Sequence, residues 1–330
     1  MNKKLNVSAS PHVRSKDTTS SIMRDVVIAM IPAAVVGIVN AFVNMGTSVG
    51  INAILIIAVS IAASVLAEYV YEKGMKKPIT IGDYSAVVTG LILALNMPPY
   101  IAPWIPALGC VFAIIIVKQL YGGLGQNFMN PALAGRCFLL ISFAGPMTTF
   151  VSEGSKFALD GMSGATPLSV LKSEGLAAMT SQYSLADMAT GMIPGTIGET
   201  SAIALLIGAA YLLYKKVIDW KIPVTYIATV AVFSLIFGAE GMFNIEYMMA
   251  MVLGGGLIFG AFFMATDSVT SPITPKGQIV FGICLGLLTG IFRIFGGSAE
   301  GVSYAIIFCN LLVPLIEKFT MPVPFGKEKK

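Results

Sequence analysis

The chain has 330 residues, of which 56% are hydrophobic and only 12% charged, and its mean hydropathy is +0.82. A soluble domain carries roughly 25% charged residues, so this composition excludes an ordinary water-soluble protein and predicts an integral membrane protein. The net charge of +4 is small, which argues against a nucleic-acid partner.

Ten apolar segments are predicted to form an all-α membrane protein of about ten transmembrane helices, since each approaches the length that crosses a bilayer. The third segment stops at Pro98-Pro99, and the eighth is interrupted by Gly254-Gly255-Gly256. The fifth has the signature of a helix start, with Asn130 as N-cap and Pro131 at the first helical position. The segments cover residues 25–44, 50–71, 84–97, 102–120, 132–149, 200–214, 222–239, 246–265, 278–295 and 301–317.

The distribution of lysine and arginine predicts the orientation of these segments. With residues 1–24 as a cytoplasmic tail, 18 of the 21 basic residues, Arg136 among them, fall on the cytoplasmic side. The other three are Lys156, Lys172 and Arg293. We therefore expect an extracytoplasmic loop at 150–199 and a basic cytoplasmic C-terminal tail at 319–330.

A weak internal repeat relates the two halves, residues 25–149 and 200–318. A shift of 174 positions places Pro98 on Pro272 and Cys110 on Cys284. Because each half has five spans, an odd number, the second half would be inserted upside down, as in the inverted repeats of many transporters.

Charged side chains of the predicted spans lie near the span ends, and the span middles are predicted to be uncharged. A carboxylate proton relay at mid-membrane is therefore not expected. An ion that crosses this chain would meet backbone carbonyls and hydroxyls, beside Pro98-Pro99 and Gly254–Gly256. The four cysteines have no metal-ligand spacing, so no metal site is predicted.

One polar segment of the predicted outer loop carries the clearest motif. Residues 160–166 read DGMSGAT, in which small residues let the backbone approach another molecule closely. This segment resembles the covalent flavin-attachment motif of a family of membrane flavoproteins, formed by the B subunit of Nqr and the D subunit of Rnf. The resemblance implies that Thr166 is esterified to the phosphate of FMN by a flavin transferase. Asp160, Ser163, Gly164 and Ala165 would form the attachment motif that this enzyme recognises.

Further stretches of the chain resemble the same family, in order and over nearly the whole length. They are 10–14 and 18–20 in the tail, GGLGQNFMNPA at 122–132, the segment 254–267, and NLLVPLIE at 310–317. The Nqr branch carries a longer N-terminal extension, so the tail of about 24 residues resembles the Rnf branch.

The resemblance implies a membrane subunit of the Rnf complex, a translocase that passes electrons between reduced ferredoxin and NAD and moves Na⁺ or H⁺ across the membrane. The partners would be Rnf subunits A, B, C, E and G, with the ferredoxin and NAD sites on other subunits. The G member of the complex carries a similarly attached flavin. A second, non-covalent riboflavin is known in relatives, and the sequence does not place it.

Two alternatives remain open from the residues alone. The first is the B subunit of the Na⁺-translocating NADH:quinone reductase, which belongs to the same class. The second is a secondary transporter or channel with the same inverted-repeat fold, since fold does not determine function. A covalent flavin on the denatured chain separates the transporter from the redox subunits.

Overall fold

The computed structural model describes residues 17–150, 166–238, 241, 243–297 and 299–322, and throughout these ranges the regular structure is helical. Several helices continue into short π-helical turns, such as Ala113–Gln119 after α4 and Gly260–Met264 after α13. The α-helices are α1 Thr19–Asn40, α2 Thr47–Gly74, α3 Ser85–Leu95, α4 Trp104–Phe112, α5 Pro131–Ser142, α6 Ala144–Thr148, α7 Pro167–Glu174, α8 Leu176–Gln182, α9 Leu185–Thr190, α10 Ala202–Tyr214, α11 Lys221–Phe237, α12 Ile245–Leu253, α13 Leu257–Phe259, α14 Pro275–Ile294 and α15 Val302–Thr320.

Each of the ten predicted apolar segments contains helix. Four helical segments in the described part of the chain are long and apolar enough to cross a membrane: Thr19–Met45, Thr47–Gly74, Pro275–Ile294 and Val302–Thr320. A fifth is the bent pair Ile245–Leu253 and Leu257–Met264. The prediction of an all-α membrane protein is confirmed at this level.

The predicted start of the fifth segment is confirmed in detail. Asn130 is the N-cap of α5, and its side-chain oxygen accepts hydrogen bonds from the backbone N–H groups of Ala132 and Leu133. The Asn130 side-chain nitrogen donates to the carbonyl of Met264, and its backbone N–H donates to Oδ1 of Asn310. This helix cap therefore also joins the first half of the chain to the second.

Two helices of the bundle stop inside it, at the positions predicted from glycine and proline. The helix α3 ends at Leu95, ahead of Pro98. The chain bends by 61° between Leu253 and Leu257. Gly255 has a φ of +64° there, a backbone conformation that favours glycine.

A short segment before α10 lies against the end of α3. The N–H groups of Ile197 and Gly198 donate to the carbonyls of Met97 and Leu95, at 3.0 and 2.7 Å. A Cβ at Gly256 would overlap with the carboxylate of Glu199. The segment 197–199 therefore brings the two helix breaks, one from each half, to a single place.

The described part of the predicted outer loop, residues 166–199, packs against the bundle. Leu168, Val170 and Leu171 of α7 and Met188 of α9 form a buried cluster with Tyr247, Ala250 and Met251 of α12. The described part of this loop is therefore attached to the bundle and is not a free connection between spans. The apolar faces of α7 to α9 are covered by α12, which fixes the short helices in place.

Candidate functional site: Thr166, a buried charge network and an apolar cavity

Thr166 lies at the start of α7, as its N-cap. Its Oγ1 accepts a hydrogen bond from the backbone N–H of Ser169 at 3.3 Å, and Pro167 takes the first helical position. This arrangement follows from the sequence, because threonine favours the N-cap and proline favours the position after it. The other residues of the motif, Asp160, Ser163, Gly164 and Ala165, lie outside the described residues.

The helix that follows Thr166 is attached to the membrane helices α12 and α14. A Cβ on Gly255 would lie 3.1 Å from Cδ2 of Leu168. Nζ of Lys172 donates to the carbonyls of Arg293 and Gly296, at 2.9 and 2.5 Å. Burial lowers the pKa of Lys172, as expected when an ammonium group loses water.

The side chain of Arg293 lies beneath the break that follows α12, and is 3% exposed. Its Nη1 donates to the carbonyl of Met251 at 2.5 Å, and its Nη2 to the carbonyl of Gly254 at 3.1 Å. The last carbonyls of a helix have no partner within the helix. Arg293 supplies donors to two of these acceptors and places a positive charge at the negative end of the helix dipole.

A second buried arginine joins the two halves of the chain. Arg136 of α5 is 4% exposed, and its Nη2 lies 2.5 Å from Oε2 of Glu300. Its Nη1 donates to Ser303 at 2.7 Å and makes a longer contact of 3.4 Å with Oε1 of Glu199. Arg293 also interacts electrostatically with Glu199 and Glu300. We call Arg136, Glu199, Arg293 and Glu300 the buried charge network.

This network corrects two predictions made from the sequence. The span middles are not all uncharged, since Arg136 lies on the second turn of α5 with its guanidinium buried among carboxylates. Arg136 is therefore removed from the basic residues counted at the predicted cytoplasmic surface. The excess of basic residues on that side hardly changes without it. A carboxylate, Glu199, does stand at the junction of the two helix breaks.

Sequence reasoning missed this network because its members are far apart along the chain. Glu199 is separated from Arg136 by 63 positions and from the next span by two residues, so it appeared to belong to a polar loop. The sequence does indicate close packing in this region, because Gly195, Gly198 and Gly256 leave room for neighbouring groups. Glycine alone does not indicate which side chain fills that room.

A further buried ion pair lies at the other end of the bundle, between α2 and the end of α4. Nζ of Lys118 lies 2.6 Å from Oε1 of Glu68 and 2.6 Å from Oγ of Ser85. Gln119 donates to Glu68 at 2.8 Å and to Glu72 at 3.3 Å. Lys118 and Glu68 therefore compensate each other's charge within the bundle.

An apolar cavity of about 180 Å³ lies beside this ion pair. The starts of α1, α3 and α5 line it, together with residues 217–218 and 262–269. Its walls are mainly aliphatic and aromatic, with polar groups from Thr89, Asn127, Asn130 and Asp267. Lys118 is the one cationic side chain among the described residues that line the cavity, and it is bound to Glu68 and Ser85.

Comparison with known proteins identifies the family. Residues 6–326 match the model of the NQR2, RnfD, RnfE family, and the chain belongs to that family. It is 46% identical over 327 residues to the D subunit of the "Na(+)-translocating ferredoxin:NAD(+) oxidoreductase complex" of Acetobacterium woodii, covering 98% of this chain and 96% of the relative.

Two other relatives are named as the D subunit of a similar complex. That of the "Proton-translocating ferredoxin:NAD(+) oxidoreductase complex" of Clostridium ljungdahlii is 45% identical over 329 residues, covering 98% of this chain and 96% of the relative. That of the "Ion-translocating oxidoreductase complex" of Actinobacillus succinogenes is 35% identical over 351 residues, covering 96% of each chain.

The buried charge network predicts a non-additive effect on stability. Arg136→Gln leaves the buried carboxylate of Glu199 and the half-buried carboxylate of Glu300 without their guanidinium. Stranding a fully buried charge costs about 3–5 kcal/mol, and the cost is smaller for Glu300. We expect the double variant Arg136→Gln, Glu300→Gln to unfold at a higher temperature than Arg136→Gln alone, because it removes one stranded charge.

Thermal unfolding of the purified chain in detergent measures this effect, with a thiol-reactive dye that reports exposure of the buried cysteines Cys110, Cys137 and Cys309. The matched control is Lys276→Gln, which removes an exposed charge. If the effects of Arg136→Gln and Glu300→Gln simply add, the two residues are not energetically coupled and the interpretation is wrong.

Proposed function

We propose that this member of the NQR2, RnfD, RnfE family is the D subunit of an ion-translocating ferredoxin:NAD⁺ oxidoreductase complex. The observation that carries the proposal is the identity of 46% and 45% with two such subunits over 98% of the chain. The names of these relatives, D subunits in each case, favour this function over that of the B subunit of the NADH:quinone reductase. The name of a complex in each relative favours a redox subunit over an independent transporter.

Within this complex, Thr166 is proposed to carry FMN through its hydroxyl. The residues fit the group, because Oγ1 of Thr166 lies at the N-terminus of an eight-residue helix, where backbone N–H groups and the helix dipole favour a phosphate. A flavin bound there would accept and release electrons. The chain's own residues hold it in position: Thr166 provides the covalent anchor, and α7 carries that anchor on the surface of α12.

The attachment site is tested by Thr166→Ala. We expect the denatured chain, made together with the flavin transferase, to fluoresce on a gel, and the Thr166→Ala chain to lose this signal completely. The loss of the N-cap destabilises α7 by about 1 kcal/mol, which the contacts of Leu168 and Lys172 offset. Ser169→Ala is the matched control, since it removes the neighbouring hydroxyl and keeps the backbone N–H that Thr166 accepts from. Fluorescence that persists in Thr166→Ala places the attachment elsewhere.

The apolar cavity is proposed to bind riboflavin. Its aliphatic and aromatic walls suit an isoalloxazine ring, and its amide and hydroxyl groups suit the ring edge. Because about 180 Å³ is less than a typical ligand pocket, the ribityl chain would extend beyond the cavity. A phosphate would find Lys118 already neutralised by Glu68 and would face the carboxylate of Asp267. These charges favour a flavin without a phosphate.

The non-covalent flavin content of the purified complex tests the cavity. Flavin released from the purified complex by acid should be riboflavin, and its amount should be unchanged in Thr166→Ala. The variant Ala132→Phe fills the cavity from the start of α5 and should lose the released flavin while keeping the covalent signal. If Ala132→Phe keeps its full riboflavin content, the cavity is not the binding site.

The ten helical segments are proposed to form two inverted repeats of five. The packing of the helices supports this arrangement, since α2 packs on α4 as α11 packs on α14, and these are the helices related by the shift of 174 positions. The related helices α1 and α10 pack on each other, as expected near an axis of pseudo-symmetry. The termini would then be cytoplasmic and residues 150–199 extracytoplasmic.

Labelling with an impermeant thiol reagent tests this topology. In intact cells we expect Ser181→Cys to react from outside and Lys216→Cys to react only after the membrane is opened, because both residues are exposed and the proposed topology puts them on opposite sides. The native cysteines provide a low background, since three are buried and Cys284 is half-buried. Labelling of Lys216→Cys in intact cells would reverse the orientation and move Thr166 to the cytoplasmic side.

The coupled ion is proposed to pass at the junction of the two helix breaks, where Glu199 lies against Gly256 and beside the end of α3. Carboxylate and carbonyl oxygens are ligands for hard cations, and an ionisable residue at this depth indicates an ion pathway. The relatives named for Na⁺ and for protons are equally similar to this chain, so overall identity does not select the ion.

Replacement of Glu199 by Gln tests the junction. In the whole complex, reconstituted in vesicles, we expect electron transfer from ferredoxin to NAD⁺ to continue while ion uptake falls about tenfold. Glu174→Gln is the control, since it removes an exposed carboxylate of the same flavin-bearing region. Ion uptake that remains fully coupled in Glu199→Gln would place the path in another subunit.

A further inference from the structure

Two cations, Lys172 and Arg293, occupy the ends of two neighbouring membrane helices. Nζ of Lys172 donates to the carbonyls of Arg293 and Gly296, where α14 ends. The guanidinium of Arg293 donates to the carbonyls of Met251 and Gly254, where α12 ends. Lys172 therefore donates to carbonyls that the end of α14 leaves unpaired, and Arg293 does the same for the end of α12. Each positive charge lies at the negative end of a helix dipole.

These two caps are connected to each other and to α7. Lys172 belongs to α7 and bonds to the backbone of Arg293, whose side chain bonds to α12. Leu168 of α7 packs against Gly255, between the two caps: a Cβ on Gly255 would meet both Cδ2 of Leu168 at 3.1 Å and Nη2 of Arg293 at 2.9 Å. We call Leu168, Lys172, Gly255 and Arg293 the capping joint.

The position of α7 depends on this joint because the helix is too short to be stable alone. It has eight residues, whereas isolated helices shorter than about 12–15 residues are marginal in water. Its apolar face is held by α12, and Lys172 provides the polar attachment at the opposite end from Thr166. Lys172 follows Thr166 by six positions, a rise of about 9 Å along the helix.

We propose that Lys172 is a positioning residue for the flavin: by capping α14 it fixes the helix that begins at the attachment residue, and so sets the distance from the flavin to its electron-transfer partners. This inference rests on the proposed attachment at Thr166. Lys172 does not touch the reacting ring in this role, and it acts through the backbone of α7. A misplaced reacting group can reduce a rate by one or two orders of magnitude.

The test uses the complete complex with Lys172→Met, which keeps the length of the side chain and removes its donors. We expect the denatured chain to keep the full covalent flavin fluorescence, because the attachment residue and its motif are intact. In the native complex we expect the anisotropy of the covalent flavin to fall and electron transfer from ferredoxin to NAD⁺ to slow about tenfold. Lys172→Arg keeps cationic donors and should restore both measurements. Lys276→Met, at the exposed start of α14, is the matched control and should resemble the unaltered complex.

Two results would overturn the proposal. One is a Lys172→Met complex with unchanged flavin anisotropy and an unchanged rate, and the other is a Lys172→Met chain that carries no covalent flavin. If the Lys172→Met complex does not assemble, the same flavin anisotropy and electron-transfer rate are measured for Gly255→Ala. The added Cβ would displace Arg293 and Leu168 from the other side of the capping joint, so an unchanged anisotropy and rate would again overturn the proposal. An unaltered chain that does not fluoresce when denatured would refute the attachment at Thr166 instead, so the two failures can be distinguished.

Discussion

Two arginines buried among helices impose the main constraint on this structure. A guanidinium stays charged inside a protein, and its removal from water costs several kcal/mol unless hydrogen bonds and opposite charges compensate. Arg136 obtains carboxylates from Glu199 and Glu300 and a hydroxyl from Ser303. Arg293 obtains backbone carbonyls, which an unbroken helix would not release. The interruption of α12 thus provides acceptors for a buried charge, and the same requirement explains the break and the position of the arginine.

The same region connects the parts of the chain that carry the proposed functions. Arg136 belongs to the first half and Arg293 to the second, while Glu199 enters from the segment between them and interacts with both. Leu168 and Lys172 attach the helix that begins at Thr166 to the break. A displacement of α7 would therefore move the caps of α12 and α14. Thr166, the proposed attachment residue, and the buried charge network are thus connected through one set of supporting contacts.

The sequence predicts the helices well because their signals are local. Apolar runs located all ten segments, Asn130-Pro131 located the start of α5, and Gly254–Gly256 located the break. The partners of Arg136 could not be predicted, since Glu199 and Glu300 lie 63 and 164 positions away. The packing of α7 was also missed, because eight residues are too few to reveal which face is covered. Thr166 became a candidate through family resemblance, whereas its geometry alone indicates an ordinary N-cap.

The charges of the network also constrain how an ion could be coupled to electron transfer. Two arginines and two glutamates sum to zero, so a cation that reaches Glu199 leaves the buried region with a charge of +1. In surroundings of low dielectric this excess is unfavourable unless a negative charge appears nearby. Under the proposed function, an electron on a flavin attached to Thr166 would be such a charge, and α7 would link its anchor to the helix break through Leu168 and Lys172. Reduction of the flavin and occupation of Glu199 would then favour each other, and thermodynamic linkage requires this effect to be reciprocal. Under the same proposal, the contacts that fix α7 would set the strength of the coupling, because the attraction between two charges falls with their separation.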